Sequence, residues 1–563
     1  MSNRLIGVET EYALFWVAGA AGGSAPPPRE IYELTESAVR NRIPNLPSSM
    51  PKGGFFLSTG GLLHYEAPTL RFSTGLLEMA TPECRGPLEA ARYHHAQDRL
   101  LSSVHEEVER RLHSRGYDGE LVYGKASADT AGNAWGSHEN YEVDDPPGLP
   151  RFALLALGFP VFWIPFWICE AVIKLALYSV FFVCAAIYLL CTSCTRIPLL
   201  GRPFAAGARS LYALGRALVR EQSILRIMDL TWFLTVPWIR AYSAFLRLVL
   251  LRPARTRLLP HLLTRLVYAG PGRVDAADGR MTLSQKGPSI RTVAGIYWDD
   301  DLRPVYDLKN FVREPWSVFR RRKRLQILFS DSNMSRLATA LKLGTTDLIL
   351  RMIEAGHPLR DLSPRDPLQA LSIVNTDPTL RQPIPLATGG PLTALEIQRY
   401  YLSQAETFFG KDGGGEEAEI LRRWKYVLDA LEEDPHLLYK DVDWVTKRDL
   451  VTEALADSGG WRDLRRAAGV ALAAETVATA QKIDAKFHEA GPRGYWFVLE
   501  EAGQVRPYFE AADLERGMRE PATSPTARQR GEAVRQWAAG GRDAKVSWTH
   551  LRLKGPGRKI RFG

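Results

Sequence analysis

Cysteine is scarce in this chain: there are five in 563 residues, and four of them (Cys169, Cys184, Cys191, Cys194) lie in one apolar segment. That number and placement exclude a disulfide framework, and in such surroundings cysteine acts as a small hydrophobe. Cys191 and Cys194 form a CxxC, but no second pair or histidine completes a zinc site. The glycine motifs of common nucleotide and hydrolase folds are missing as well, with no Walker P-loop, no Rossmann fingerprint and no GxSxG elbow. The N-terminus, MSNRLIGVETEYALFW, has acids where a secretion signal needs an apolar run, so no such signal is expected. Internal repeats are absent. Charge of one sign is not in large excess either. A net charge of +9 is modest for this size and favours an anionic surface or a phosphate-bearing ligand. The basic residues lack the interleaved aromatics of a nucleic-acid groove, so nucleic acid is not an expected partner.

What is present fits a globular protein of about two to four domains. Arg4–Trp16 reads as a strand that carries Glu9 and Glu11 on one face by period-two alternation. Arg29–Arg42 reads as an amphipathic helix, Phe55–Glu66 and Leu76–Glu83 as strands, and Pro87–Gly116 as a helix. The stretch Gly60–Cys84, GGLLHYEAPTLRFSTGLLEMATPEC, sets Glu66, Glu78 and Glu83 among apolar residues, with His64 and Thr81 beside them. Carboxylates in apolar strands are costly unless a cation meets them, which makes them candidate metal ligands or acid/base groups. In Tyr123–Val143 the glycines permit close backbone approach to a ligand, and His138, Glu139 and Asn140 put three hydrogen-bonding side chains together. Further along, Leu258–Gly270, Ser335–Gly356, Pro391–Arg422, Trp424–Asp434 and Trp444–Ala456 read as helices. Arg322–Phe329 and a segment near Gly494–Glu500 read as strands.

One long stretch has almost no charge. Phe152–Thr195 holds 42 uncharged residues and two charged ones, Glu170 and Lys174. A spanning helix needs about 20 apolar residues, so two spans, Phe152–Cys169 and Leu175–Thr195, are expected to form a hairpin turning near Glu170–Lys174. Trp163, Trp167, Tyr178 and Tyr188 are candidate interfacial anchors. Arg196, Arg202, Arg209, Arg216 and Arg220 form a positive flank that should stay cytoplasmic. Ser223–Leu251, apolar but carrying Asp229, Arg240 and Arg247, suits a helix lying in the interface. The expected location is therefore the inner (cytoplasmic) membrane, with lipid as a partner and the remaining domains facing the cytoplasm.

Several segments stand out in order: GVETEY (Gly7–Tyr12), GGLLHYE followed by LLEMATPEC, DTAGNAWGSHENY (Asp129–Tyr141), LLPHLLTRLVYAGPGRV (Leu258–Val274) and LSQKG (Leu283–Gly287). SDSNMSRLATALKLGTTDLILRMIEAG (Ser330–Gly356), VDWVTKRDLV and KIDAKFHE complete the series. Together they resemble the family of the Pup ligase and the Pup deamidase/depupylase, which are glutamine-synthetase-like carboxylate–amine ligases. The resemblance implies an α+β fold, with a glutamine-synthetase-like antiparallel sheet cradling ATP and Mg2+, a small C-terminal domain and, in this chain, an inserted transmembrane hairpin. The expected divisions are residues 1–145 and 257–480 for the catalytic domain, 146–256 for the insertion and 481–563 for the C-terminal domain.

The resemblance also implies roles. Glu9, Glu78 and His64 are the metal ligands, with His64 standing where the family has tyrosine and offering a softer donor. Glu66 falls on the catalytic aspartate. Thr81, Trp444 and Arg313 match nucleotide-contacting positions, and Glu11, His138 and Asn140 join them as candidate cofactor-binding residues. The chemistry is coherent: oxygen ligands hold the magnesium that neutralises phosphate, and a carboxylate takes a proton from the attacking amine. The implied function is an ATP-dependent isopeptide ligase acting on a small Pup-like protein and a lysine acceptor. A deamidase/depupylase-like amidohydrolase and a degenerate nucleotide-binding scaffold are the alternatives. Leu62 stands where the family has an ATP-contacting arginine and Gln326 where it has a histidine, and about six extra residues (Ala67–Phe72) lengthen the connection between Glu66 and Glu78.

Overall fold

One 14-residue strand, β1 (Leu5–Ala18), organises the fold because its two faces have opposite chemistry. Ile6, Val8, Thr10 and Tyr12 are at most 2% exposed on one side, while Glu9 and Glu11 alternate with them on the other. The computed structural model describes the chain except residues 1–3, 20–21, 67–74, 130–132, 195–209, 211–236, 251–253, 277–278, 297–302, 411–414, 457–473, 541–542, 554–558 and 563. The extra segment Ala67–Phe72, the arginines Arg196, Arg202, Arg209, Arg216 and Arg220, and Asp229 lie outside the described residues.

Around β1 the chain lays down β2 (Asn45–Pro47), β3 (Phe55–Leu57), β4 (Leu62–Glu66), β5 (Leu76–Ala80), β6 (Cys84–Arg85), β7 (Gly119–Gly124) and β8 (His138–Asp144). After the insertion come the small β9 (Arg273–Val274) and β10 (Met281–Thr282) pair, then β11 (Thr292–Gly295), β12 (Pro304–Asp307) and β13 (Arg322–Ile327). Among the described residues the large sheet runs β11-β12-β13-β8-β1-β5-β4-β3-β2, with β6 and β7 also paired to β1. Its pairs are antiparallel except β11 with β12, which are parallel, so the sheet is mixed rather than wholly antiparallel.

The apolar face is covered by helices. Tyr12, Leu63, Leu77 and Met79 pack against Pro28–Arg42 and Pro87–His113, and Ile6, Val8, Tyr141 and Ile327 share a core with Arg336–Glu354. Two buried polar ties fix this layer. Tyr12 donates to Asp98 at 2.7 Å and Lys125 donates to the same carboxylate at 2.7 Å. Arg265 meets Glu139 in a two-pronged pair, at 2.6 and 3.0 Å, with both side chains at most 2% exposed.

That pair corrects one expectation. Glu139 does not group with His138 and Asn140, because strand alternation on β8 turns it to the helical side. The opposite, concave face is covered at one end by β14 (Ala544–Val546), β15 (His550–Leu553) and β16 (Lys559–Arg561), together with the helix Pro525–Ala539. Leu46, Phe56, Leu62 and Ala80 meet Val534, Val546 and Leu551 there. Arg530, fully buried, donates to the Gly60 carbonyl at 2.8 Å and pairs with Glu83.

The apolar segment differs from the expected hairpin. Leu149–Cys194 is one continuous helix, and no turn occurs at Glu170–Lys174. Nothing in EAVIK breaks a helix, and the two charges, four residues apart, pair at 2.8 Å along it. Pro160 and Pro165 lie inside the helix near its packed half. Leu155, Phe159 and Phe166 are buried against the body, with Phe162 stacked on Phe245 at 5.0 Å and Phe159 near Trp316 at 5.1 Å. Beyond Phe166 the large apolar side chains are exposed, among them Trp167, Val172, Leu175, Phe182 and Leu190. Two smaller readings also change: Phe55–Glu66 is two strands around a turn, and Tyr495–Glu501 is a helix rather than a strand.

Replacing Arg265 by Met leaves Glu139 buried without its cation, and the expected cost is about 3–5 kcal/mol, seen as a large fall in the thermal midpoint. Burial raises the Glu139 pKa but the Arg265 charge outweighs it, so the carboxyl is held below its usual range. Its contribution is then complete above the ordinary carboxylate pKa and is lost as pH falls through the depressed value. Acid unfolding should therefore be less steep in Arg265→Met than in the wild type.

Candidate active site

The register of three strands assembles the site. Glu11 on β1 lies opposite Glu78 on β5, and Glu78 lies opposite His64 on β4. Residues paired across antiparallel strands share a face, so Glu11, Glu78 and His64 form one transverse row on the concave side. Glu9 and Glu66 flank it, each two residues along its own strand from a member of the row. His64, Glu66 and Glu78 offer ligand atoms that all lie within 4.8 Å of one another. His64 is 2% exposed; its Nε2 stands 3.2 Å from Glu78 Oε2, and its Nδ1 has no hydrogen-bond partner among the described residues.

Cations meet this row from both ends. At the inner end Arg324 on β13 donates to Glu9 Oε1 at 2.8 Å and to Asn140 Oδ1 at 2.8 Å. The Asn140 amide is 3.3 Å from the same Glu9 oxygen, and His138 Nδ1 is 3.5 Å from Glu9 Oε2. Glu11 accepts from the Gly136 amide at 2.8 Å. Lys286, 3% exposed, donates to the carbonyls of Leu328 at 2.7 Å and Ser137 at 3.2 Å. At the outer end Lys52 Nζ lies 3.2 Å from Glu66 Oε2 and 3.6 Å from Glu78 Oε2.

Crowding separates the four acids. Burial favours the neutral form of Glu9, but the Arg324 charge and the His138 contact prevail and bring it down to about 2. Glu11 is pushed up to about 8 by burial and by the charges of Glu66 and Glu78. Burial and Glu78 raise Glu66 in the same way. Glu78 is held well below the usual range because its contacts with His64 and Lys52 outweigh burial. Burial lowers Lys286 to about 8, against the pull of Glu11 and Asp331. Carboxylates crowded to this degree beside a buried imidazole fit a divalent cation: oxygen donors predominate, as magnesium requires, with one softer nitrogen.

Of the residues singled out from sequence, the structure brings together Glu9, Glu11, His64, Glu66, Glu78, His138 and Asn140. The other three lie apart from the row. The Thr81 hydroxyl accepts from the Val8 amide at 2.9 Å and thereby ties β1 to the end of β5. Trp444 is fully buried and donates to the Val267 carbonyl at 2.9 Å. Arg313 is exposed at the end of the short helix Asn310–Arg313; its charge and that of Glu66 both act on Lys309.

Lys52 and Arg324 were not singled out. Arg324 reaches Glu9 only because β13 pairs with β8 and β8 with β1. Lys52 had a local signal in its PKGG context. Gly53 and Gly54 have φ of 74° and 77°, and a Cβ on Gly54 would stand 2.2 Å from the Leu63 carbonyl. Only glycine lets that loop lie against β4. Leu62, on the concave side of β4, is 4% exposed beneath the C-terminal sheet, and the Asn310 side-chain Nδ2 donates to Gln326 Oε1 at 3.5 Å.

Comparison with known proteins gives a consistent result. The Pup-ligase protein family profile matches residues 4–552. A Pup--protein ligase from Paenarthrobacter aurescens (strain TC1) is 26% identical over 558 residues, covering 98% of this chain and 94% of the relative. The fold resembles the crystal structure of the complex between prokaryotic ubiquitin-like protein Pup and its ligase PafA, at a TM-score of 0.67 and 20% identity, covering 100% of this chain and 89% of that one. It also resembles the Pup ligase PafA in complex with ADP, at a TM-score of 0.61 and 18% identity, over 96% of this chain and 91% of that one.

The two loop glycines should respond differently to substitution. Nothing lies within 4 Å of a Cβ on Gly53, so Gly53→Ala carries only the left-handed backbone cost, about 1–2 kcal/mol. Gly54→Ala adds a clash with β4 and should lower the thermal midpoint clearly further.

Proposed function

The chain belongs to the Pup-ligase family, and we propose that it is an ATP- and magnesium-dependent ligase joining a carboxylate of a small Pup-like protein to a lysine amine. The observation that carries this reading is the Glu11–Glu78–His64 row, flanked by Glu9 and Glu66, on the concave face. ATP supplies a phosphoryl group that turns a carboxylate into an acyl phosphate, and Glu9, Glu78 and His64 would hold the magnesium that balances its phosphate charge. Arg324 fixes the Glu9 carboxylate through its 2.8 Å bond. Lys286, buried and within the field of Glu11, adds a positive charge where phosphate oxygens gather. Glu66 is the base: its burial beside Glu78 strengthens its hold on a proton, which suits it to take one from an incoming ammonium. The amine then attacks the acyl carbon and phosphate leaves. Glutamate is one methylene longer than the family's aspartate, and the lengthened connection follows it directly in sequence.

The same reading makes the enzyme a membrane-tethered one. A helix of 46 residues is about 69 Å long, more than twice the bilayer core. Its first part packs on the catalytic body, and the part beyond Phe166 is apolar and exposed. Strands of the catalytic sheet precede and follow the insertion, and residues 237–250 already pack against the body. The chain therefore returns to the side it left. We read that side as the cytoplasmic face of the inner membrane, because the arginines that follow the apolar run, Arg196 to Arg220, form a positive flank.

Calorimetry on the detergent-solubilised full chain tests the enzyme reading: magnesium–ATP binds the wild type, and Glu9→Ala and Glu78→Ala each weaken it at least about tenfold. Absence of binding to the wild type contradicts it. For the tether, wild type should stay with membranes after a carbonate wash, and a variant lacking residues 152–251 should be released. Retention of that variant contradicts the tether.

A further inference from the structure

Lys52 belongs to no strand of the sheet, yet its ammonium reaches the outer end of the glutamate row. Nζ stands 3.2 Å from Glu66 Oε2 and 3.6 Å from Glu78 Oε2. That Glu78 oxygen is also the atom 3.2 Å from His64 Nε2. A second divalent ion bridging Glu66 and Glu78 would need the same carboxylate oxygens, so the ammonium and such an ion compete for one position. The ligand atoms of His64, Glu66 and Glu78 lie within 4.8 Å of one another, which marks this as a place for a positive ligand rather than a chance cluster of acids.

The loop that delivers Lys52 is built into the fold. The Gly54 carbonyl accepts from the Ser48 amide at 2.9 Å, and the Gly53 amide donates to Met50 at 3.0 Å. The Ser49 amide donates to Val546 at 2.8 Å, which anchors the loop to β14. Gly54 lies directly on β4 at His64. β4 itself, LLHYE, has no lysine or arginine, since Leu62 stands where the resemblance implies an arginine. A lysine is suited to the role because it is a compact charge with three donors, two of which these glutamates can take.

We propose that Lys52 is a built-in cation of the cradle. It occupies the outer cation position between Glu66 and Glu78, excludes a second divalent ion from it, and leaves metal to Glu9, His64 and Glu78. In this role it is a positioning residue for Glu66, whose carboxylate it holds toward the row. The proposal rests on the ligase reading of the cradle, and its test separates the two.

Full-length wild type, Lys52→Met and Lys52→Arg are titrated with Mn2+ alone, by calorimetry and by the electron paramagnetic resonance signal of free Mn2+. Removing one nearby unit charge should tighten Mn2+ binding about fivefold or more or admit one further equivalent in Lys52→Met. Lys52→Arg, which keeps the charge, should bind Mn2+ as the wild type does. Lys52→Gln replaces Lys52→Met if the latter does not fold. Unchanged or weaker Mn2+ binding in the neutral variant overturns the proposal, and so does a Lys52→Arg protein that behaves like it. Magnesium–ATP binding by the wild type is measured in parallel. Its absence overturns the ligase reading, whereas its presence with unchanged Mn2+ binding overturns the role of Lys52 alone.

Discussion

Carboxylates set side by side on neighbouring strands repel one another, and burial removes the water that would screen them. The concave face of this protein carries four such groups, Glu9, Glu11, Glu66 and Glu78, and the surrounding structure is arranged to meet them. Arg324 arrives from β13, Lys286 from the segment after β10, and Lys52 from a glycine loop pinned to the C-terminal sheet. In the proposed reading, a divalent ion would meet the charge that these three cations leave uncompensated. The charge balance of the site and its chemistry are therefore the same problem.

The strand alternation that gathers the acids also builds the core. Ile6, Val8, Tyr12 and Leu14, which turn away from Glu9 and Glu11 on β1, pack into the helix-covered core, and Tyr12 anchors to Asp98 on the way. On β8 the same alternation sends His138 and Asn140 to the site and Glu139 to a buried pair with Arg265. A shift of register by one residue would exchange these sets, burying Glu9 and Glu11 among apolar side chains. Precision at the site is thus inherited from the hydrophobic layer behind it.

Much of this was legible in the sequence, for identifiable reasons. Glu9 and Glu11 announce a shared face by their spacing, and the matched segments gave Glu66, Glu78 and His64 their places before any geometry was known. What could not be read depends on distant pairing. Arg324 is more than 300 positions from Glu9, and only the β13-β8-β1 order joins them. Glu139 looked like a partner of His138 and Asn140 because adjacency in sequence was given more weight than alternation. The expected turn at Glu170–Lys174 rested on two charges in an apolar run, but these charges pair along the helix instead of ending it.

The apolar insertion leaves the sheet between β8 and β11, so one chain carries a buried charged cradle and a long exposed apolar helix. The account of the whole molecule depends on the cradle. It is tested most directly by solving the structure of the solubilised protein with Mn2+ and a non-hydrolysable ATP analogue, using the anomalous signal of manganese. The account predicts a manganese peak on the concave face bounded by Glu9, His64 and Glu78, with the analogue's phosphates beside Arg324 and Lys286. A nucleotide bound elsewhere, with no metal at this row of glutamates, would contradict it.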